Sequence, residues 1–249
     1  MKLPQGNWEN AVLLTKEQWQ SALQEVIALG LQPHPDPPKN WDSLAALTTI
    51  LRRTDPNARI LDAGAEGYSV ILPWLAHYGY QELRGLNLSY EQIGDRPPIV
   101  YELGDLTQTQ YPSQSFDAIT CLSVIEHGVN LEAYFQEMSR LLKPGGVLIT
   151  STDYYESAIA TQGKVAFGTP VRIFQRRDLE QMLDLARRCG LQLTSPLPLE
   201  CQEKTISWLE LDYTFAIFTA LKIPINLFFA QKLLSRRVLS IDREFKHNL

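Results

Sequence analysis

Four short segments hold the residues of this chain best suited to chemistry. They are Asp62-Ala63-Gly64-Ala65-Glu66-Gly67, Asn87-Leu88-Ser89, Gly104-Asp105-Leu106 and Leu122-Ser123-Val124-Ile125-Glu126-His127. Each places a small or polar residue directly after an apolar run. Glycine lets a backbone approach a ligand closely and supplies φ > 0 where a turn needs it. Brought together, the four segments offer donors and acceptors at separated points with apolar walls between them. A ligand made of a nucleoside joined to an amino acid needs that arrangement. His127 adds a group that titrates near neutrality and suits proton acceptance from a hydroxyl nucleophile; the plainer role is packing or loop organisation. Asp153, Tyr154 and Tyr155 follow a later apolar run and are candidates for substrate contact.

These segments need a scaffold that gathers them at one edge. The patterning predicts strands over residues 59–62, 83–88, 99–101, 116–122, 147–151, 191–194 and 213–221. Helices are expected near 8–31, 42–53, 68–78, 130–142 and 177–189, with Asn130 as an N-cap and Lys143-Pro144-Gly145-Gly146 as a stop. Pro73 delays or kinks the third of these. Between the first two helices, Gln32-Pro33-His34-Pro35-Asp36-Pro37-Pro38 is a rigid connector, because four prolines remove backbone donors and fix φ. Lys39-Asn40-Trp41-Asp42 then serves as helix entry or as a lid. Alternating strands and helices of these lengths give a parallel sheet covered on both faces, and ligands bind such sheets at the carboxyl ends of the strands. The last two strands have no clear helix between them, which suits an antiparallel edge.

The ordered set Ile60-Leu61-Asp62-Ala63-Gly64, Gly85-Leu86-Asn87-Leu88-Ser89, Gly104-Asp105, Ser115-Phe116-Asp117-Ala118-Ile119, Val124-Ile125-Glu126-His127 and Leu141-Leu142-Lys143-Pro144-Gly145-Gly146 resembles the class I S-adenosylmethionine-dependent methyltransferases, of the type 11-like group. The resemblance covers residues 55–195 and the terminal strand. It implies an α/β, three-layer Rossmann-like sandwich whose seven-stranded, mostly parallel sheet has an antiparallel last strand. It implies S-adenosyl-L-methionine as cofactor and methyl transfer to a small molecule, at oxygen or nitrogen. By the same resemblance, Asp62 and Gly64 border the methionine moiety, with Ala65 and Glu66 beside them. Asn87 meets the ribose hydroxyls, next to Leu88. Asp105 accepts from the adenine amino group, and the Leu106 backbone pairs with a ring nitrogen. Ser123 lines the passage toward the sulfonium, and His127 and Asp153 are the candidate catalytic bases.

Two departures from the family pattern matter. The usual Gly-x-Gly-x-Gly turn reads Gly64-Ala65-Glu66-Gly67-Tyr68, which puts a carboxylate beside the cofactor. Asn87 stands where an acidic residue is usual, and losing charge-assisted hydrogen bonds costs about 1 kcal/mol. They motivate the alternative of a non-catalytic binding module on the same fold. A nicotinamide-dependent oxidoreductase is disfavoured, since Gly64 and Gly67 do not make Gly-x-Gly-x-x-Gly.

Composition fits this reading. The 249 residues are 45% apolar and 20% charged, with a formal charge of −5, so a sizeable core is expected. No Lys/Arg run marks a nucleic-acid surface. Cys121, Cys189 and Cys201 lack disulfide or metal-ligand spacing, so no metal is expected. Residues 213–230 are interrupted by Lys222, Pro224 and Asn226, which argues against a membrane span, and no signal peptide is visible at the start. A cytoplasmic protein is expected, with an N-terminal helical extension or lid (1–54), a core (55–222) and a C-terminal helical extension (223–249). The last carries Lys232, Arg236, Arg237, Arg243 and Lys246 and is read as a packing helix or homodimer element, with membrane attachment the minor alternative. Trp208 and Tyr213 join Tyr154 and Tyr155 as candidate aromatic walls for the acceptor.

Overall fold

A computed structural model describes residues 2–6, 9–89 and 96–224. The C-terminal extension from 225 onward and Trp8 lie outside the described residues. In chain order the elements are β1 (Ala11–Val12), α1 (Lys16–Ala28), α2 (Lys39–Arg53), β2 (Arg59–Ala63), α3 (Ile71–His77), β3 (Glu82–Asn87), β4 (Ile99–Leu103) and β5 (Phe116–Leu122). There follow α4 (Leu131–Leu141), β6 (Leu142–Tyr154), β7 (Val165–Ala166), β8 (Thr169–Pro170), α5 (Arg176–Arg188), β9 (Leu191–Leu193), β10 (Ile206–Trp208) and β11 (Leu211–Lys222).

The main sheet runs β1-β11-β6-β5-β2-β3-β4, and β9 and β10 also pair with β11. Strands β2 to β6 are mutually parallel, whereas β11 is antiparallel to β6 and to every other partner. The expected sheet is thus present with its antiparallel last strand, but nine strands join it among the described residues rather than seven. The two additions, β1 and β10, are two and three residues long. The chain passes from β2 outward through β3 and β4, then crosses back to β5 on the other side of β2. A crevice must open where the order reverses, at the carboxyl ends of β2 and β5.

Alternation of side chains builds two cores, one per face. Ile60, Ile149 and Ile217 pack with Trp41, Leu44, Leu47, Trp74 and Leu75, so α1 to α3 cover one face. Leu61, Leu148 and Phe218 pack with Phe135, Met138, Leu179 and Met182 of α4 and α5 on the other. Asn130 caps α4 as expected, its Oδ1 accepting from the Ala133 N–H at 3.1 Å. Pro73 is tolerated in the first turn of α3, where its missing N–H is no loss.

The N-terminus departs from expectation. A single helix over 8–31 is replaced by a strand and a shorter helix. Gln18 Oε1 accepts from the N–H groups of Leu14 and Thr15, at 2.6 and 3.2 Å, and fixes the start of α1. Ahead of it, Ala11 and Val12 pair with Ile217 and Ala216 of β11. Tertiary pairing overrides local helical spacing here. Likewise α2 begins three residues earlier than its apolar pattern suggests and is buried from Asn40 to Ile50.

Phe135 is fully buried against Tyr134 and Phe218. Phe135→Ala is expected to lower the unfolding free energy by about 3–5 kcal/mol, read from the urea midpoint at unchanged slope.

Candidate functional site

The crevice at the strand reversal is a cleft of about 1460 Å³. Its floor begins at Asp62, whose carboxylate is buried at the end of β2 and accepts from Thr120 Oγ1 of β5 at 2.8 Å. The turn that follows is held to β3, because the N–H groups of Gly64 and Ala65 both donate to the Leu86 carbonyl, at 2.7 and 3.1 Å. Gly64 has φ +92°, and a Cβ there would stand 2.5 Å from Val124 Cγ2. Only glycine fits. Glu66 lines the cleft, whereas Ala65 is buried beneath it and is not among the lining residues.

Asn87 ends β3. Its amide Nδ2 donates to the Ala65 carbonyl at 3.0 Å, and its Oδ1 accepts from the Leu88 N–H at 2.7 Å. A carboxylate could not make the first of these bonds. The amide therefore staples the glycine turn to the end of β3, while Leu88 stands exposed on the cleft rim. Asp105 is exposed beyond β4 and its Oδ1 accepts from the N–H and hydroxyl of Thr107, both at 2.7 Å. Leu106 beside it is buried and lines the cleft.

Ser123 follows β5 with φ +54°, and its N–H donates to the Ser151 carbonyl at 3.1 Å. Its hydroxyl accepts from Lys39 Nζ in a close contact. The same ammonium lies 3.8 Å from the centre of the Phe215 ring, a cation–π contact. Around it stand Asp42, Glu126 and Asp153, all buried and all lining the cleft. Asp42 accepts from Ser151 Oγ at 2.6 Å, and Glu126 accepts from Thr152 Oγ1 at 3.0 Å. Tyr213 hydrogen-bonds Asp153. His127 lines the same cavity. Its Nδ1 is buried with no hydrogen-bond partner among the described residues, and its ring meets Phe167 edge-on at 4.8 Å.

Of the residues singled out from sequence, Asp62, Gly64, Glu66, Asn87, Leu88, Asp105, Leu106, Ser123, His127 and Asp153 all line this one cleft. Trp208 and Tyr213 do too, but Tyr154 points elsewhere, its hydroxyl donating to the Leu199 carbonyl at 2.6 Å. Phe167 was not anticipated, and Lys39 and Asp42 were read only as parts of a helix entry or lid. A carboxylate inside an otherwise apolar helix was the available signal for Asp42. Phe167, a large apolar residue beside a glycine in a polar stretch, offered a weaker one.

Electrostatics divide the site. Burial pushes Asp62 up to about 7, with the Asp42 charge adding to it and the Thr120 hydrogen bond opposing. Burial raises Asp42, Glu126 and Asp153 as well, offset in each by Lys39. His127 moves the other way, down to about 4, first through burial and then through the Lys39 charge.

A reversed α/β sheet with a cleft at the switch point defines a Rossmann-like domain. Residues 61–150 match the family model described as "Methyltransferase domain". The sterol 24-C-methyltransferase of Yarrowia lipolytica is 34% identical over 94 residues, covering 36% of this chain and 24% of that protein. The ubiquinone biosynthesis O-methyltransferase of Xanthomonas campestris pv. campestris is 30% identical over 126 residues, covering 46% and 49%. The chain thus spans about a quarter to a half of the length of these curated relatives. A solved S-adenosylmethionine-dependent methyltransferase from Mesorhizobium loti superposes with TM-score 0.53 at 19% identity, covering 72% of this chain and 97% of that one. The [4+2]-cyclase SpnF superposes with TM-score 0.55 at 17% identity, covering 83% and 93%. These last two likenesses speak to the fold. Residues 61–150 thus carry a methyltransferase domain, on a fold shared with solved S-adenosylmethionine-dependent methyltransferases.

The raised carboxyls have a thermodynamic consequence. Asp62 titrates near 7 in the folded chain and near 4 when unfolded, so the folded state binds the extra proton between these values. Stability of the ligand-free protein therefore falls as pH rises through that window. In urea titrations from pH 4 to pH 8, Asp62→Asn is expected to show a shallower fall than wild type; parallel profiles would contradict the assignment.

Proposed function

We propose that this chain transfers the methyl group of S-adenosylmethionine to an oxygen or nitrogen of a small-molecule acceptor. The observation that carries the reading is the convergence of two chemistries in one cleft. Asp62, Gly64, Asn87, Asp105 and Leu106 line one part, and His127 and Asp153 line another, with Ser123 alongside. When bound, the cofactor supplies an activated methyl group on a sulfonium. The residues present fit it. Gly64, held bare by Val124 and by its positive φ, lets the backbone border the cleft, Asp62 offers a buried carboxylate, and Asp105 and the Leu106 backbone would meet the base.

His127 and Asp153 are the proposed proton acceptors. With its titration near 4, His127 is neutral at physiological pH and holds a free nitrogen lone pair. Asp153 holds protons more tightly than an ordinary carboxylate, which improves it as a final resting place. A neutral acceptor can thus bind without competing with a proton already on the imidazole. The protein's further share is alignment and exclusion of water. We place the chain in the cytoplasm and keep the division 1–54, 55–222 and 223–249 as its proposed organisation, the cleft wall at His34 to Lys39 belonging to the first part.

One observation favours a second reading, a binding module without catalysis. Both ends of the Asn87 amide are engaged within the protein, which leaves the ribose with less than a free carboxylate would give. Calorimetry with S-adenosylhomocysteine separates the two: binding at micromolar affinity is expected, and affinity weaker than millimolar would favour the second reading. Gly64→Ala is expected to weaken that binding more than tenfold, because the added methyl meets Val124 at a backbone angle that alanine resists. His127→Ala is expected to leave it intact and to lower turnover by at least roughly tenfold. Turnover near the wild-type rate would remove His127 from the mechanism.

A further inference from the structure

The hairpin β7–β8 stands apart from the main sheet. Its turn is Phe167-Gly168, with φ +51° and +76°. A phenylalanine in the left-handed region is unusual and marks a site where position matters more than local comfort. Phe167 is 66% exposed, yet it lines the cleft and its ring edge rests on His127. The hairpin sits directly on the turn after His127: a Cβ on Gly128 would touch Thr169 Cγ2 at 3.4 Å. At its base, Lys164 Nζ pairs with Glu210 at 2.6 Å, in the β10–β11 turn where Leu209 and Glu210 also have positive φ. Two strained turns, Phe167-Gly168 and Leu209-Glu210, are thereby tied together, with Trp208 of the second hairpin also on the cleft wall.

This assembly is unnecessary for the core, since Phe167 buries little of its own surface. It does cover the His127 imidazole, whose Nδ1 has no partner among the described residues. We propose that Phe167 is a specificity-determining wall of the acceptor subsite, seating an uncharged, ring-sized apolar body against His127 so that the acceptor's O–H or N–H reaches the imidazole. The charges nearby set the choice of an uncharged body. Burial pushes Glu126 up to about 8, so it holds its proton near neutrality, and Lys39 is already matched to Asp153, which leaves no free counter-charge for an ionised acceptor. Aromatic faces from Trp208, Tyr213 and Phe167 suit a flat apolar partner.

The assignment rests on the methyl-transfer reading and is tested apart from it. The full chain is first saturated with S-adenosylhomocysteine; absence of that binding overturns the methyl-transfer reading itself. Into the saturated protein, 2-naphthol is titrated by its fluorescence, and 2-naphthoate in parallel. We expect 2-naphthol to bind, 2-naphthoate to bind at least roughly tenfold more weakly, and Phe167→Ala to weaken 2-naphthol by roughly tenfold. Phe167→Leu should retain most of the affinity, and S-adenosylhomocysteine binding should be unchanged in both variants. A second readout needs no acceptor. In histidine-labelled protein followed by NMR, Phe167→Ala should raise the His127 midpoint by about one pH unit as water reaches the ring, with Lys39, Glu126 and Asp153 left in place. Failure of 2-naphthol to bind, equal binding of 2-naphthoate, or an unmoved His127 midpoint each overturns the assignment.

Discussion

The site depends on how a single ammonium is held among buried carboxyls. Asp42, Glu126 and Asp153 arrive from three different elements and are withdrawn from water. Burying ionised carboxylates without a partner is prohibitive, so such groups take up protons or find a cation. Here both happen: their affinity for protons rises, and Lys39 limits the rise in each case. Lys39 in turn is fixed by Ser123 and by the face of Phe215. The helix α2, the turn after β5 and strands β6 and β11 are thereby locked into one geometry by electrostatics rather than by packing alone.

That lock explains which parts of the molecule were legible in the sequence. The strand ends were legible because each carries its own signal, an apolar run followed by a small or polar residue. Asp62, Gly64, Asp105 and Ser123 could therefore be placed beside the cleft from local reading, as could the Asn130 cap of α4. The N-terminus was not legible, because β1 exists only by pairing with a strand some two hundred residues later. The role of Lys39 was hidden for a related reason. Nothing near it in sequence says that Ser123 and Phe215 will meet it. Asn87 is a third kind of case. Its position was foreseen, yet its amide joins the glycine turn to β3 through a donor that the more usual carboxylate lacks. A substitution that looks like a weakening for the ligand is also a gain for the loop.

Local rigidity differs across the cleft. The wall at Asp62, Gly64 and Asn87 is pinned by hydrogen bonds from two strands. The wall at Phe167 rests on a ribbon of two residue pairs. A fixed half suits a ligand that is the same at every turnover, and a lightly held half suits one that must enter and leave past a side chain.

Strand β11 has a consequence of another kind. Four strands take their pairing from it, and Asn10 reaches from the start of the chain to its Thr219 N–H and to Thr194. On the ribosome, residues 11–12 must wait for about two hundred more before their partner exists. At ordinary elongation rates that wait is on the order of 10–40 s. The apolar segment Ala11-Val12-Leu13, of which Val12 and Leu13 end buried, spends that time unpaired. Closing this edge of the sheet is thus a late event in synthesis, unlike the pairing of neighbouring strands such as β2 and β3.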